Sequence, residues 1–261
     1  MNFNLAGKVA VVTGGGSQTG FGKGICLALA TEGCNVVILD VDIEGAKKTA
    51  AEVEAMGCKS LAYEADLTDG AVVTKCLADA SQKMGKIDIL VNNAGRSTPN
   101  QLFVDKTPED WEPDLKINLY SVLNCTRAVL PQMLERKSGK IINICSGVVA
   151  RGMAGSSLYS AAKGAVYSFT LSLSKELIGS GINVNGVSPG IGNTNFLRSS
   201  KMLPTEETPP EFEKAISQHV PAGRFTLPRD IGTMCTYLAS DVADYIVGQV
   251  IDVDGGSINS L

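Results

Sequence analysis

Histidine is almost absent from this sequence: His219 is the single one among 261 residues. Histidine is the base of Ser-His-Asp and Cys-His hydrolases and a frequent zinc ligand, so either role would fall on this residue. It stands in a polar stretch, residues 217–221, with no nucleophile motif nearby. We therefore interpret His219 as a surface or helix-end residue and expect no metal site. If the protein is an enzyme, another side chain has to handle protons.

A surplus of positive charge is also missing. Lys and Arg together number 23 against 27 Asp and Glu, which gives a net charge of −4. Binding to nucleic acid or to an anionic membrane surface needs a basic surplus, so neither partner is expected. No apolar run approaches the roughly 18 residues that span a bilayer. Residues 1–8 also lack the charged flank and apolar stretch of a secretory signal.

The cysteines form no recognisable framework. There are seven, an odd number, and they are scattered without a CxxC pair. This pattern fits neither a disulfide scaffold nor a zinc site. We interpret them as reduced, mostly buried thiols and predict a cytoplasmic protein. Apolar residues make up 44% of the chain and charged residues 19%, which is enough for a large folded core.

Short runs rich in β-branched residues alternate with longer stretches of helical spacing. Most runs are continuously apolar, which is typical of strands buried on both faces of a parallel sheet. The predicted strands are residues 8–13, 35–40, 59–64, 87–92, 140–145, 182–187 and 249–253. The longest predicted helices cover residues 107–135 and 157–178, and helix stops are expected at glycines 33, 57, 85, 139 and 181. This order predicts one doubly wound α/β domain over residues 1–261.

The alternation stops between residues 190 and 223. This segment contains four prolines and a polar cluster at residues 205–208. A long segment without a strand in a compact domain is usually a functional lid or a mobile loop. Large apolar residues such as Phe196 and Leu197 stand among the turn formers, so we expect a lid over the substrate. A structureless surface excursion is the alternative.

A glycine-rich turn follows the first predicted strand and precedes a helical stretch. It runs from Gly14 to Gly22. Glycines let the backbone turn sharply and let a phosphate approach the amides at a helix N-terminus, where the helix dipole favours an anion. In this position the turn predicts a site for a dinucleotide pyrophosphate, and a plain tight turn is the alternative.

The second predicted strand ends at an acidic residue, Asp40. In dinucleotide-binding folds such a residue binds the adenosine ribose hydroxyls, and it would repel a 2′-phosphate. Val41 follows it, and the turn from Gly14 to Gly22 contains no Lys or Arg. The expected cofactor is therefore NAD and not NADP. An ordinary exposed aspartate at a strand end is the alternative.

Two residues of the predicted helix 157–178 suggest proton chemistry. Tyr159 and Lys163 are four residues apart, so they share a helix face. A cation beside a phenol lowers its pKa from about 10, which predicts a general base near neutral pH. Ser146 follows the fifth predicted strand, and ligands bind at the carboxyl ends of strands in such sheets.

These residues together resemble the short-chain dehydrogenase/reductase family over nearly the whole chain. The matching motifs are the Thr13-Gly14 turn, Asp40, Asp66-Leu67, Asn92-Asn93-Ala94-Gly95, Asn118, Ser146, Tyr159 to Lys163, Pro189-Gly190 with Thr194, and Asp252 to Gly256. The spacings of 13 residues from Ser146 to Tyr159 and 41 from Asn118 to Tyr159 also agree. The resemblance implies a Rossmann-type, mainly parallel seven-stranded sheet with helices on both faces. It further implies hydride transfer between NAD(H) and a secondary alcohol or ketone, and a homotetramer built around the helices 107–135 and 157–178.

The resemblance also implies roles for single residues. Tyr159 would be the acid/base, and Ser146 would hold the substrate oxygen. Lys163 would bind the nicotinamide ribose and lower the pKa of Tyr159, and Asn118 would hold a water of the proton relay. The expected cofactor-binding residues are Gly14, Ser17, Gln18, Gly20, Phe21, Gly22, Asp40, Val41, Asp66, Leu67, Asn93, Ala94, Gly95, Tyr159, Lys163, Pro189, Gly190 and Thr194. The expected substrate-binding residues are Ser146, Val148, Met153, Tyr159 and Phe196.

The glycine turn departs from the family pattern. Five residues, 15–19, separate Gly14 from Gly20 where the family has three, so Ser17 and Gln18 are expected to give side-chain hydrogen bonds to the pyrophosphate. Longer turns resemble the enoyl reductase branch, which however spaces its Tyr and Lys more widely than this chain does. Enoyl reduction or other nicotinamide chemistry, and a non-catalytic dinucleotide-sensing module, stay open as alternatives. Arg96 and Arg151 either receive an anionic substrate group or are solvated or paired within the protein.

Overall fold

Seven parallel strands form one sheet in the computed structural model, which describes residues 2–199 and 208–257. The strands are β1 (Val9–Thr13), β2 (Asn35–Asp40), β3 (Ser60–Glu64), β4 (Ile89–Asn92), β5 (Gly139–Ile144), β6 (Ile182–Pro189) and β7 (Val250–Val253). Their order across the sheet is β3-β2-β1-β4-β5-β6-β7, and every neighbouring pair is parallel. All seven predicted strands are confirmed, with bounds within two residues of the prediction.

Helices cover both faces of the sheet, as predicted. They are α1 (Phe21–Thr31), α2 (Ile43–Ala55), α3 (Gly70–Met84), α4 (Trp111–Leu115), α5 (Ser121–Arg136), α6 (Val148–Arg151), α7 (Ser157–Leu177), α8 (Asn195–Ser199), α9 (Pro210–His219) and α10 (Pro228–Ala239). The core on one face contains residues of α1, α2 and α10, and the core on the other contains residues of α3, α5 and α7. Within the described ranges, no helix is both long enough and apolar enough to cross a membrane.

Strand β1 shows why the two cores form. Its five residues are all buried, because alternate side chains point to opposite faces and both faces are covered. Ala10 and Val12 belong to the first core, whereas Val9 and Val11 belong to the second. β1 lies between β2 and β4, so the chain order reverses beside it. The loops after β1 and β4 therefore diverge, and a crevice opens between them.

The predicted helix over residues 107–135 is not one regular helix. A 3₁₀ turn at Pro108–Asp110 leads into α4, a π-helical turn at Lys116–Tyr120 follows, and α5 then begins. A π turn adds one residue to a helical turn and is frequent at functional sites. An apolar pattern of period 3.6 does not reveal a single added residue, so the sequence prediction missed this turn. Asn118 lies inside it.

The helix-stop glycines are confirmed at four of the five positions. Glycines 33, 57, 85 and 181 have φ values of 80°, 86°, 91° and 70°, which glycine adopts without strain. Gly139 instead opens β5, and Lys137 ends α5 with a φ of 51°. A Cβ at position 139 would stand 2.5 Å from the sulfur of Met133, so glycine lets β5 pack closely against this side chain of α5.

The segment 190–223 carries two helices in its described part, α8 and α9. Residues 200–207, which include Met202, Leu203 and most of the polar cluster, lie outside the described residues. Leu197 of α8 and Phe225 form a small buried cluster. His219 is exposed at the end of α9, where its Nδ1 lies 2.7 Å from the carbonyl oxygen of Ala215. The prediction of a helix-end surface histidine is confirmed, and all seven cysteines are free thiols.

Candidate active site

A cavity of about 720 Å³ opens at the carboxyl ends of the central strands. Its lining includes Gly14 after β1, Asp40 at the end of β2, Asn93 after β4, Ser146 after β5 and Pro189 at the end of β6. Open parallel sheets bind their ligands at this edge, where the strand order reverses. The cavity therefore lies where the sequence predicts the cofactor.

Nearly all predicted site residues meet in this cavity. Every predicted cofactor-binding residue except Gln18 and Asp66 lines it, and so do all five predicted substrate-binding residues. The exposed carboxylate of Asp66 accepts hydrogen bonds from the backbone N–H and the hydroxyl of Thr68, at 2.9 and 2.7 Å. These two bonds lower the pKa of Asp66. The carboxylate thus caps its own turn.

Gln18 does not direct its side chain to the cavity. Its Nε2 donates to the carbonyl oxygens of Gly16 and Gly45, at 2.8 and 3.0 Å. Its Oε1 accepts a 2.9 Å hydrogen bond from Lys23, which also pairs with Glu52 at 2.6 Å. Gln18 therefore ties the lengthened glycine turn to α2, and its predicted hydrogen bond to a pyrophosphate stays a prediction.

Ser17 and the start of α1 suit an anion. The Ser17 hydroxyl lines the cavity and is buried without a hydrogen-bond partner among the described residues. No side chain caps the N-terminus of α1, so its first N–H groups are available to a ligand. A Cβ at Gly22 would stand 2.1 Å from the carbonyl oxygen of Gly14, so only glycine allows this close turn. A pyrophosphate would satisfy both the hydroxyl and the N–H groups.

Asp40 presents its carboxylate at the end of the cavity beside β2. Its two oxygens accept hydrogen bonds from the backbone N–H groups of Gly16, at 2.7 Å, and Asp42, at 3.0 Å. These bonds hold the carboxylate still and leave lone pairs for ribose hydroxyls. Asp42 is the other acidic residue of the lining. Among the described residues, no Lys or Arg lines this end of the cavity. Lys23 does not belong to the lining.

Tyr159, Lys163 and Ser146 meet at the other end of the cavity. Tyr159 and Lys163 stand on one face of α7 and are 7% and 3% exposed. The hydroxyl of Ser146 lies near that of Tyr159 and favours its phenolate form. The ammonium of Lys163 donates to the carbonyl oxygen of Ile144 at 2.8 Å. A phenol beside a serine hydroxyl and a buried cation thus line the end of the cavity where a substrate carbonyl would bind.

Burial shifts the pKa of both groups on α7. Loss of hydration raises the pKa of Tyr159 above its ordinary value of 10, against the opposing hydrogen bond from Ser146. Burial likewise lowers the pKa of Lys163 from 10.5 to about 8. The direction for Tyr159 is opposite to the sequence-based expectation, because removal from water outweighs the interactions that favour the phenolate. The neutral phenol is the form that can donate a proton.

Asn118 stands behind this group of residues, on the π-helical turn. Its Nδ2 donates to the carbonyl oxygens of Arg96, at 2.7 Å, and Asp114, at 2.9 Å. Its Oδ1 is buried without a partner among the described residues. A Cβ at Gly95 would stand 2.6 Å from this Oδ1 and 3.3 Å from Nζ of Lys163. The two polar atoms therefore face a common point, and a water between them would satisfy the Asn118 oxygen.

Sequence reasoning missed Asp114, which lies one helical turn before Asn118. It is 1% exposed, and its carboxylate accepts hydrogen bonds from the backbone N–H of Thr98, at 3.0 Å, and its hydroxyl, at 2.8 Å. Burial of Tyr159 is the main cause of its raised pKa, and the negative charge of Asp114 raises that pKa further. No motif marks Asp114, because its effect depends on α4 packing against α7.

The first described part of the 190–223 segment covers Tyr159. The ring of Phe196 lies against the ring of Tyr159, with centroids 5.2 Å apart and planes at 55°. Val148, Met153 and Leu197 add apolar lining on the same side of the cavity. The predicted substrate residues therefore surround the hydroxyls of Ser146 and Tyr159.

Comparison with known proteins gives consistent matches. The model of a family described as Enoyl-(Acyl carrier protein) reductase matches residues 14–257. The 3-oxoacyl-(acyl-carrier-protein) reductase FabG of Thermotoga maritima is 36% identical over 254 residues, covering 97% of this chain and 99% of the relative.

Two solved structures are similar over almost their full length. The 3-ketoacyl-(acyl-carrier-protein) reductase of Brucella melitensis complexed with NADH has a TM-score of 0.88 and 34% identity, covering 98% of this chain and 100% of that one. A 7α-hydroxysteroid dehydrogenase complexed with NADH and 7-oxo glycochenodeoxycholic acid has a TM-score of 0.89 and 31% identity, covering 100% and 98%. Since sequence and fold agree over almost the whole length, this chain is an oxidoreductase of the short-chain dehydrogenase/reductase family, which binds a nicotinamide dinucleotide.

Proposed function

We propose that this protein transfers a hydride between NAD(H) and a secondary alcohol or ketone, with Tyr159 as the acid/base. The observation that carries the proposal is the meeting of Ser146, Tyr159 and Lys163 at one end of a single cavity whose other end presents Asp40. A buried neutral phenol beside a serine hydroxyl suits proton delivery to a carbonyl oxygen.

The described residues fit the dinucleotide along the length of the cavity. Ser17 and the N-terminal N–H groups of α1 would bind the pyrophosphate, and Asp40 would accept hydrogen bonds from the adenosine ribose. Lys163 would reach the nicotinamide ribose, beside Gly190 and Thr194 of the lining. The bound nicotinamide supplies or accepts the hydride.

The protein's own residues move the proton. In the reducing direction Tyr159 donates its phenolic proton to the substrate oxygen while Ser146 donates a hydrogen bond to the same oxygen. In the oxidising direction Tyr159 accepts that proton. Lys163, with a pKa near 8, can exchange a proton close to neutral pH. The Asn118 oxygen, facing the same point as the Lys163 ammonium, would hold the water through which that proton reaches solvent.

NAD is the proposed cofactor because of the charges around the ribose. The carboxylates of Asp40 and Asp42 would repel a 2′-phosphate, and Lys23, in the first turn of α1, is bound to Gln18 and Glu52. Two of the similar solved structures contain NADH. Equal kcat/KM values for NADH and NADPH would contradict this part of the proposal.

A ketone or secondary alcohol is the proposed substrate class. The similar proteins are described as acting on 3-oxoacyl groups or as binding a 7-oxo steroid acid, so each handles a ketone. Enoyl reduction is the second candidate, favoured by the description of the matching family model. The spacing of Tyr159 and Lys163, which the enoyl reductase branch widens, argues against it. A non-catalytic dinucleotide sensor would not need the four proposed catalytic residues. This chain has all of them: Asn118, Ser146, Tyr159 and Lys163.

A panel of secondary alcohols tests the proposal. Cyclic, aromatic and acyl secondary alcohols are incubated with NAD, and NADH is followed by its absorbance; the matching ketones are tested with NADH. We expect turnover with at least one class. Reduction of an enoyl thioester without turnover of any ketone would favour the second candidate, and the absence of all turnover would favour the dinucleotide sensor.

We also propose that the protein assembles as a homotetramer in the cytoplasm. Phe103 and Trp111 stack with centroids 6.2 Å apart and are 57% and 41% exposed. Exposed stacked rings beside α4 support a subunit contact, because large apolar groups on a surface often mark an interface. The seven free thiols support a reducing compartment.

A further inference from the structure

The charged residues of the cavity lining are separated by sign. Asp40 and Asp42 stand at the ribose end. Arg96, Arg151 and Lys163 stand around the catalytic end. Lys163 is buried and bound to a carbonyl oxygen, so it has a place in the catalytic group itself. The two arginines have no such task in the proposed hydride transfer.

Arg96 is held on a fixed stretch of backbone. It follows Gly95, and its carbonyl oxygen accepts a 2.7 Å hydrogen bond from Asn118. Thr98, two residues later, is bound twice by the buried Asp114. The loop after β4 is therefore anchored at Arg96 and again two residues later, so its backbone holds this side chain at the cavity wall.

Arg151 lines the cavity from the end of α6. This short helix begins at Val148, two residues after Ser146, and stops at Gly152, whose φ is 68°. One guanidinium nitrogen of Arg151 donates to the carbonyl oxygen of Ser257 at 3.3 Å. A carbonyl oxygen carries no net charge, so the positive charge of Arg151 is not neutralised by this bond.

Neither guanidinium has an anionic partner in the part of the chain that the structure describes. The ion pairs there, all within 4.0 Å, include neither Arg96 nor Arg151. Ser17 and the N-terminus of α1 form the proposed pyrophosphate site, so the two arginines are not needed to bind it. Two unpaired cations beside an apolar wall are what a ligand with an apolar body and an oxyanion would require.

We propose that the substrate carries a carboxylate, and that Arg96 and Arg151 bind it while Val148, Met153 and Phe196 contact its apolar body. The inference deepens the proposed function, on which it rests for the identity of the cavity. Arg96 and Arg151 are then specificity-determining residues. Both side chains are exposed, so water screens the attraction, and we expect about 3- to 10-fold in affinity from each arginine.

A binding experiment tests the arginines without any turnover. Octanoate and octanamide, which differ only in charge at one end, are titrated calorimetrically into the enzyme saturated with NADH. The variants are Arg96→Gln, Arg151→Gln and the double variant. Arg229→Gln is the matched control, because Arg229 is an exposed arginine on α10 that does not line this cavity. Unchanged melting temperatures show that the variants are folded.

We expect octanoate to bind the parent enzyme at least about 10-fold more tightly than octanamide, and the difference to shrink with added salt. Each single variant should lose part of the preference and the double variant all of it, with no change in octanamide affinity. Equal affinities for the two probes, no measurable binding of octanoate, or a preference kept in the double variant would overturn the inference.

Turnover separates this inference from the proposed function. A keto acid and its methyl ester are compared with NADH. A parent enzyme that prefers the acid, and loses that preference through KM in the double variant, supports both. Equal turnover of acid and ester leaves the function standing and overturns the role of the arginines. Turnover of neither compound counts against the proposed function, and octanoate binding then still decides on the arginines. The double variant could instead lose turnover only with acyl thioesters that are carried on an acidic protein. That result would assign the arginines to docking of the carrier protein and overturn the inference.

Discussion

The ring of Phe196 covers the ring of Tyr159, with centroids 5.2 Å apart. This contact joins the segment after β6 to α7 and covers the phenol that is the proposed proton donor. Enclosure by apolar side chains excludes water from hydride transfer. The segment therefore has the properties of the proposed lid at the point where it meets the chemistry.

Replacing Phe196 with Ala should weaken substrate use more than cofactor binding. The ring buries apolar substrate surface worth about 1–3 kcal/mol, so kcat/KM should fall by roughly 5- to 150-fold, mainly through KM. The affinity for NADH should stay within about twofold, since the ring covers Tyr159, where the substrate oxygen is proposed to bind. Phe212→Ala is the control, because Phe212 packs on Phe225 and does not line the cavity. An equal loss in both variants would contradict a direct contact with substrate.

Hydrogen exchange tests the lid itself. Peptides from residues 190–215 should exchange more slowly once NADH and a product analogue are both bound, because closure protects their amides. Unchanged protection across this segment would exclude a lid.

Tyr159→Phe should abolish nearly all turnover and leave NADH binding largely intact. The phenol delivers the proton, and its loss should cost at least about 10²- to 10⁴-fold in kcat. The remaining ring still packs against Phe196. Tyr167→Phe is the control, since Tyr167 stands two turns later on the same helix and does not line the cavity. Rates in Tyr159→Phe close to those of the parent would require another acid/base.

Replacing Asp40 with Ala and Val41 with Arg should shift cofactor preference toward NADPH. The change removes the repulsion of a 2′-phosphate and adds a cation, so the ratio of kcat/KM for NADPH to that for NADH should rise more than about tenfold. Loss of the two backbone contacts of Asp40 should also lower stability by about 1–3 kcal/mol. Val41→Arg alone, which keeps the carboxylate, should shift the ratio less. An unchanged ratio in the double variant would refute the role of Asp40.

Asp114→Asn should move the pH dependence of alcohol oxidation. Removing this buried charge removes an influence that raises the pKa of Tyr159, so that pKa should fall. The rising limb of kcat/KM against pH, which reports formation of the phenolate, should then shift to lower pH. Asparagine still accepts the N–H of Thr98 and keeps the loop in place. Glu112→Gln on the exposed side of α4 should leave the profile unchanged. A shift to higher pH would contradict the sign of the effect.

Lys163 should make the folded protein relatively more stable as pH rises. Its pKa is about 8 when folded and 10.5 in the reference state, so the unfolded chain binds more protons between these values. The free energy of unfolding of the parent minus that of Lys163→Met should therefore increase by up to about 3 kcal/mol from pH 8 to pH 10.5. Tyr159 is present in both proteins, so its own titration largely cancels. Urea denaturation at several pH values, with Lys175→Met on the same helix as control, measures the difference. A flat difference would mean that burial does not hold the ammonium of Lys163 at a lowered pKa.

The sequence alone predicted the seven strands and most of the residues that line the cavity. β1 illustrates the reason: a strand buried on both faces is largely apolar, and such a run is visible in a few consecutive residues. Asp40, Ser146 and Tyr159 follow such strands or share a helix face with Lys163, so local order along the chain was enough to bring them to one edge of the sheet.

Other features depended on contacts between distant elements. The π-helical turn at Lys116–Tyr120 adds a residue that no periodic pattern registers, and it carries Asn118 to the site. Lys137, and not a glycine, ends α5 in a left-handed conformation, while Gly139 packs in β5 beside Met133. Gln18 binds α2 and not the cavity. In each case a partner far along the chain decided the outcome.

Tyr159 shows most clearly which properties the sequence determines and which depend on the tertiary structure. Its place beside Lys163 follows from a spacing of four residues, which the sequence by itself determined. The direction of its pKa shift does not follow from that spacing, because burial, Ser146 and Asp114 act on it from separate elements. Hydration and charge are summed over all neighbours in space. Only the tertiary structure, which assembles α4, α7 and the loop after β5 around the phenol, decided that its pKa is raised.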